Sequence, residues 1–184
     1  MPSGGYLRLL AEGAGFSFYQ LDNAQDVDNL TIEGFEYFKG FGMQNYALSF
    51  KAWLRRFPRP VLIVALRNRK EVVAWVYIEE WESTALDGNP GYVLRSIETL
   101  PELRGRKIGM RLLMLGLSHT VGYMLTKPMN PRAHNFFKKA GFKDENEFRN
   151  LPFDLSKHSG YMILTIPRKK VILEMMSKYF EKIY

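Results

Sequence analysis

The stretch Pro101-Glu-Leu-Arg-Gly-Arg-Lys-Ile-Gly109, running directly into Met110-Arg-Leu-Leu-Met-Leu-Gly-Leu-Ser118, decides how this chain is read. Its first half holds small and basic residues, and its second half is apolar at helical spacing. Residues 91–100, just upstream, have the composition of a strand. Strand, glycine-containing loop and helix in that order point several backbone N–H groups inward at a helix entrance. The helix adds its own unpaired donors and the positive end of its dipole there. Such a turn is a cradle for a phosphate or pyrophosphate group.

Regular patterns flank this loop on both sides. Phe16–Leu21 reads as a first strand. Asn23 is placed to cap a helix with Val27, Leu30, Phe35 and Phe38 on one stripe, broken by Gly40 and Gly42. Residues 47–57 read as a second helix, stopped by Pro58 and Pro60. Residues 61–66 and 72–78 are strand-like, and residues 67–71 form the hairpin turn between them. Asp87-Gly88 and Asn89-Pro90 mark the next turn. After the helix from Ile108 to about His119 comes a short strand at 121–126. A further helix spans 131–139, with Asn130 as N-cap, Pro131 at its first position and Gly141 as its stop. Residues 142–148 and 161–167 read as the last strands. Residues 167–184 read as an amphipathic helix with Ile172, Met175, Met176, Tyr179 and Ile183 on one face, packed on the domain or on a dimer partner.

With 184 residues, the chain fits one domain able to bury about two-thirds of its unfolded surface. No apolar run approaches the roughly 18 residues of a membrane span. The first residues lack a leader pattern, so a cytoplasmic location is expected. The absence of cysteine excludes disulfides, thiolate metal sites and a cysteine nucleophile. With only His119, His134 and His158 as histidines, no metal site is expected. The net charge of +7 implies affinity for anions, whether nucleic acid or a polyanionic cofactor. Most of the basic residues fall in scattered pairs typical of solvated surface. The group at 104–107 differs because it sits at a helix entrance.

The loop Arg104-Gly-Arg-Lys-Ile-Gly109, together with Asn130-Pro-Arg-Ala-His-Asn-Phe-Phe-Lys-Lys-Ala-Gly-Phe142 about 20 residues later, resembles the GNAT superfamily of CoA-dependent N-acyltransferases. That family has Arg/Gln-x-x-Gly-x-Gly/Ala at the start of its central helix, then Asn-x-x-Ala, usually a Tyr, and Lys-x-Gly-Phe. Each motif alone is unspecific; their order and the surrounding strand pattern make the pair specific. The resemblance covers residues 60–166 well. It implies an α/β (α+β) fold with a mixed, mostly antiparallel central sheet flanked by helices, to which residues 167–184 add a helix. Residues 1–166 would be the acyltransferase domain.

The resemblance further implies acetyl-CoA as cofactor. The loop donors Arg104, Gly105, Arg106, Lys107, Ile108 and Gly109 would wrap its pyrophosphate, and Gly105 and Gly109 would let the backbone approach it. Main-chain groups of Ile97, Glu98 and Thr99 would pair with the pantetheine arm as an added strand does. Asn130 would contact the cofactor's amide portion. Two residues depart from the family: Lys107 stands where glycine is usual, and Phe137 stands where many members carry the Tyr that protonates the departing thiolate.

Acyl transfer to an amine needs a base, an oxyanion donor and a proton for the leaving group. Base candidates are Glu98, Glu79 and Glu80. Acid candidates, in the absence of a phenol at 137, are Tyr123, Tyr161 or solvent. The expected function is N-acetylation of a primary amine on an acceptor that the sequence does not identify. The alternatives are a non-catalytic CoA-binding module, favoured by Phe137 and Lys107, and a basic RNA- or ribosome-associated factor. Nucleic acid ranks last as a partner, because no nucleic-acid-binding signature accompanies the charge.

Overall fold

The computed structural model describes residues 7–184. Residues 1–6, where the search for a leader pattern begins, lie outside the described part. One nine-stranded sheet runs through the molecule in the order β7-β8-β6-β5-β4-β3-β2-β1-β9. Its strands are β1 (Arg8–Gly13), β2 (Phe16–Leu21), β3 (Val61–Arg67), β4 (Glu71–Glu80), β5 (Gly91–Thr99), β6 (Tyr123–Thr126), β7 (Lys143–Asp144), β8 (Met162–Leu164) and β9 (Lys182–Ile183). The helices are α1 (Tyr46–Leu54), α2 (Ile108–Ser118), α3 (Pro131–Ala140) and α4 (Ile166–Glu174). All neighbours are antiparallel except β5 and β6. A parallel pair needs a long crossover, and α2 supplies it. The expected mixed, mostly antiparallel sheet flanked by helices is what forms.

The central strands β3 and β4 read as continuous apolar runs because both faces of the sheet are covered. Residues 61–66 and 72–78 are all buried. Alternation along β4 sends Trp75 and Tyr77 to one face and Ile78 to the other. Under α1, Trp75 meets Phe50 with ring centroids 5.2 Å apart, and Tyr77 stacks on Trp53 at 4.0 Å. On the opposite face, α2 lies so close that a Cβ on Gly116 would sit 2.5 Å from Ile78 Cδ1. Any larger residue at that crossing would force the Ile78 side chain or the helix to shift.

Several elements differ from the sequence reading. Strand β1 was not expected; it pairs with β2 through a tight Ala14-Gly15 turn in which both residues have positive φ. The expected helix from Asn23 to Phe38 does not form. A 3-10 turn at Ala24–Val27 is followed by Thr31, whose N–H donates to Lys70 O and whose carbonyl accepts from Val72 N. Gly34 has φ +84°, and a second 3-10 turn spans Tyr37–Phe41. Pairing with the β3–β4 turn thus outcompetes a weak helical stripe. The strand expected at 142–148 is only β7, followed by a 3-10 turn at Glu145–Glu147. The single helix expected at 167–184 is instead α4, a turn at Met176–Lys178 and β9, which pairs with β1. Ile183 is 51 % exposed, while Phe180 and Lys169 are buried.

Helix α3 has the expected ends. The Asn130 side chain accepts from Ala133 N at 2.8 Å, Pro131 occupies the first turn, and Gly141 ends the helix with φ +111°.

Candidate active site

Strands β5 and β6 pair from Gly91↔Tyr123 to Leu94↔Thr126 and then part. At the point of parting, the Thr126 hydroxyl donates to Leu94 O at 3.0 Å. Across β5, Tyr77 pairs with Ser96 and Ile78 with Leu94, so Arg95 is a bulge residue. Beyond it, among the described residues, the main chain of residues 96–99 pairs with β4 alone. Leu100 N donates to Val73 O, so strand alternation turns the main-chain groups of Ile97 and Thr99 to the open side. Those of Glu98 face β4.

The open edge borders a cleft of about 660 Å³. Of the residues expected at the site, Ile97, Glu98, Thr99, Arg104, Gly109, Asn130 and Phe137 line this cleft. The same cleft is lined by Tyr37, Arg95 and Lys127, which sequence reasoning missed. Arg95 carried a legible signal, a lone cation in an apolar strand. Tyr37 carried none, since its hydroxyl meets the Asn130 amide, which donates to it at 2.8 Å, 93 residues away in the chain.

The loop between β5 and α2 has the geometry of an anion cradle. Gly105 has φ +84° and Lys107 has φ 59°, ψ 28°. Among the described residues, the N–H groups of residues 105–109 donate to no backbone carbonyl outside the helix. A Cβ on Gly105 would meet nothing within 4 Å, so the glycine serves the left-handed angle rather than clearance from the protein. Lys107 is left-handed as well, which explains the family's preference for glycine there.

Glu98 is 7 % exposed. Its carboxylate accepts from the Tyr46 hydroxyl at 2.9 and 3.0 Å and from Tyr37 N at 3.2 Å. Burial pushes its pKa up, against the opposing hydrogen bonds of Tyr46 and Tyr37 and the charge of Arg104. Burial and the nearby Glu98 carboxylate push the Tyr46 phenol up. Tyr46 is a further contributor that local sequence did not reveal.

The other candidates lie off the cleft. Glu79 is gripped by Arg56 and the Tyr77 hydroxyl and accepts from Arg95 Nε at 3.1 Å. Burial works to raise its carboxyl, but the bonds from Tyr77, Arg95 and Arg56 outweigh it and hold it below the usual range. Glu80 is exposed. The Tyr123 hydroxyl donates to Asp87 at 2.6 Å, at the end of β6 away from the fork. Tyr161 touches the site only indirectly: its hydroxyl accepts from Arg95 Nη1 at 3.4 Å, and Lys127 Nζ lies 5.9 Å from its ring centre.

A parting of parallel strands beside a helix-entrance anion cradle is the architecture of an acyl-CoA-dependent transferase. The model of the acetyltransferase (GNAT) family matches residues 24–142. The chain belongs to that family, and acetyl-CoA is the cofactor that membership brings. No curated protein matches it. Solved structures share its fold. The toxin AtaT, as a mutant bound to acetyl-CoA and the C-terminus of the antitoxin AtaR, superposes with TM-score 0.57 at 14 % identity, covering 86 % of this chain and 98 % of that one. The KacTA–DNA complex gives 0.56 at 10 % identity, covering 94 % and 98 %. AtaT complexed with acetyl-methionyl-tRNAfMet gives 0.56 at 13 %, covering 85 % and 98 %. The low ranking of nucleic acid as a partner is not borne out by this group of folds. No helix among the described residues is long and apolar enough to cross a membrane.

Proposed function

We propose that this protein is an acetyl-CoA-dependent N-acetyltransferase that acts on a primary amine by direct attack. The observation that carries this reading is the free edge of β5 beyond the fork, continuous with the unpaired N–H groups at the start of α2. Bound acetyl-CoA supplies an activated acetyl thioester. Donors of residues 105–109 and the Arg104 guanidinium fit its pyrophosphate. Ile97 and Thr99 offer main-chain donors and acceptors to the pantetheine arm, and the Asn130 amide is within the same cleft.

Glu98 takes a proton from the acceptor's ammonium, directly or through water, to give the neutral amine that attacks, because among the described residues it is the only carboxylate lining the cleft. The phenyl ring of Phe137, 3 % exposed, excludes water and has no proton to give. Among the described residues Tyr37 is the only tyrosine lining the cleft, and its hydroxyl is the donor we assign to the leaving thiolate. Thermal unfolding with acetyl-CoA at 100 times its Kd should show stabilisation of about 2.7 kcal/mol. Stabilisation no greater than that given by inorganic pyrophosphate would overturn the reading.

A second reading concerns the acceptor. Among the described residues four cations, Arg95, Arg104, Lys127 and Arg132, line the cleft against the single carboxylate Glu98. With the net charge of +7, this favours an amine carried on a polyanion, such as the aminoacyl end of a tRNA. Acetyl transfer to aminoacyl-tRNA that weakens steeply with salt is the expected result. Transfer to free amines at equal efficiency would refute it.

A further inference from the structure

The loop that holds the cradle is tied from behind by Arg111, on the first turn of α2. Its Nη1 donates to Arg106 O at 2.9 Å and to Lys107 O at 3.3 Å, and its Nε donates to Tyr179 O at 2.7 Å. Tyr179 belongs to the segment that joins α4 to β9. Its ring centre lies 5.6 Å from the Arg111 guanidinium carbon and 5.8 Å from Lys107 Nζ. Gly13, at the end of β1, makes room for this junction: a Cβ there would stand 2.7 Å from Tyr179 O and 3.3 Å from Arg111 Nε.

In a trans peptide unit, C=O and N–H point in opposite directions. The carbonyls of Arg106 and Lys107 share their peptide planes with the N–H groups of Lys107 and Ile108. Anchoring both oxygens on Arg111 therefore turns both N–H groups to the far side, away from Arg111. Lys107 also sits in a left-handed conformation that is strained for any residue with a Cβ. The chain needs a hold on this loop that a glycine-bearing relative does not.

We propose that Arg111 is a positioning residue for the pyrophosphate cradle, and that residues 175–184 brace it through Tyr179, so that cofactor affinity and docking of this segment are coupled. The segment is held independently of the loop. Glu181 N donates to Glu12 O at 2.8 Å, Tyr184 N to Leu10 O at 2.9 Å, and the Phe180 ring meets Phe18 edge-on at 5.5 Å. The cradle thus borrows rigidity from the far edge of the sheet. This rests on the reading of the loop as a pyrophosphate site.

Calorimetric binding of CoA and of pantetheine, which lacks the pyrophosphate, tests both layers. The native protein should bind CoA far more tightly than pantetheine; equal affinities would remove the pyrophosphate site and the brace with it. Arg111→Met should weaken CoA about tenfold and leave pantetheine unchanged, with Arg111→Lys recovering part of the loss. Unchanged CoA affinity, or an equal loss for both ligands, would overturn the brace alone. Hydrogen exchange on the native protein decides the matter if Arg111→Met does not fold. CoA, but not pantetheine, should slow exchange at residues 179–184, and no slowing would reject the coupling.

Discussion

Glu98 shows how one residue can be legible and its surroundings not. A carboxylate within an apolar strand is visible in the sequence, whereas the Tyr46 hydroxyl and Tyr37 N–H that hold it come from 52 and 61 residues away. As a base it must be ionised, and its pKa is raised by burial. Activity should therefore rise with pH through a limb displaced above the ordinary carboxylate range, and Glu98→Gln should abolish that limb and cut kcat on the order of a hundredfold. A pH–rate profile of both proteins checks this. At Phe137 the expectation is different. Because Tyr37 is the assigned donor, Phe137→Tyr should leave kcat and the KM for acetyl-CoA little changed. A gain in kcat of about tenfold or more in steady-state assays would mean that Tyr37 does not supply the proton.

Among the elements, α2 was the most legible and the segment before α1 the least. The helix announces itself through an apolar run and a glycine loop, both local signals. Residues 23–41 have aromatic spacing that imitates a helix, but Thr31 finds backbone partners on the β3–β4 turn, a competition invisible to local pattern. The bulge at Arg95 was equally hidden, because register is a property of two strands. Contact between α2 and the sheet depends on Gly116. Gly116→Val should force the helix off Ile78 and lower stability by about 1–3 kcal/mol, read as a reduced midpoint in urea unfolding. Since the cradle begins the same helix, weaker CoA binding should accompany the loss.

For the molecule as a whole, the motif pair carried the fold class, a mixed, mostly antiparallel sheet flanked by helices. What did not follow was how the chain closes on itself, because this depends on the short strands β7 and β9 and on a buried lysine. Lys169 is 6 % exposed and donates to Thr120 O at 2.7 Å and Gly122 O at 3.3 Å, which fastens α4 to the end of α2. Burial pulls its pKa from 10.5 down to about 8. Between those values the unfolded chain binds the proton and the folded one does not, so stability must rise with pH across that window. Thermal midpoints measured from pH 8 to 10.5 should climb in the native protein relative to Lys169→Met, once the tyrosine titrations common to both are subtracted.

The two margins of the sheet have a consequence for how the protein behaves in a crowded solution. Strands β7 and β9 are each two residues long, and each carries a lysine, Lys143 or Lys182. An apolar nine-stranded sheet with long flat borders would invite another chain to extend its ladder. Here the ladder tapers to a stub at either side, and the charge on each stub repels a like-charged newcomer. The fold thus limits strand addition at both margins of its sheet.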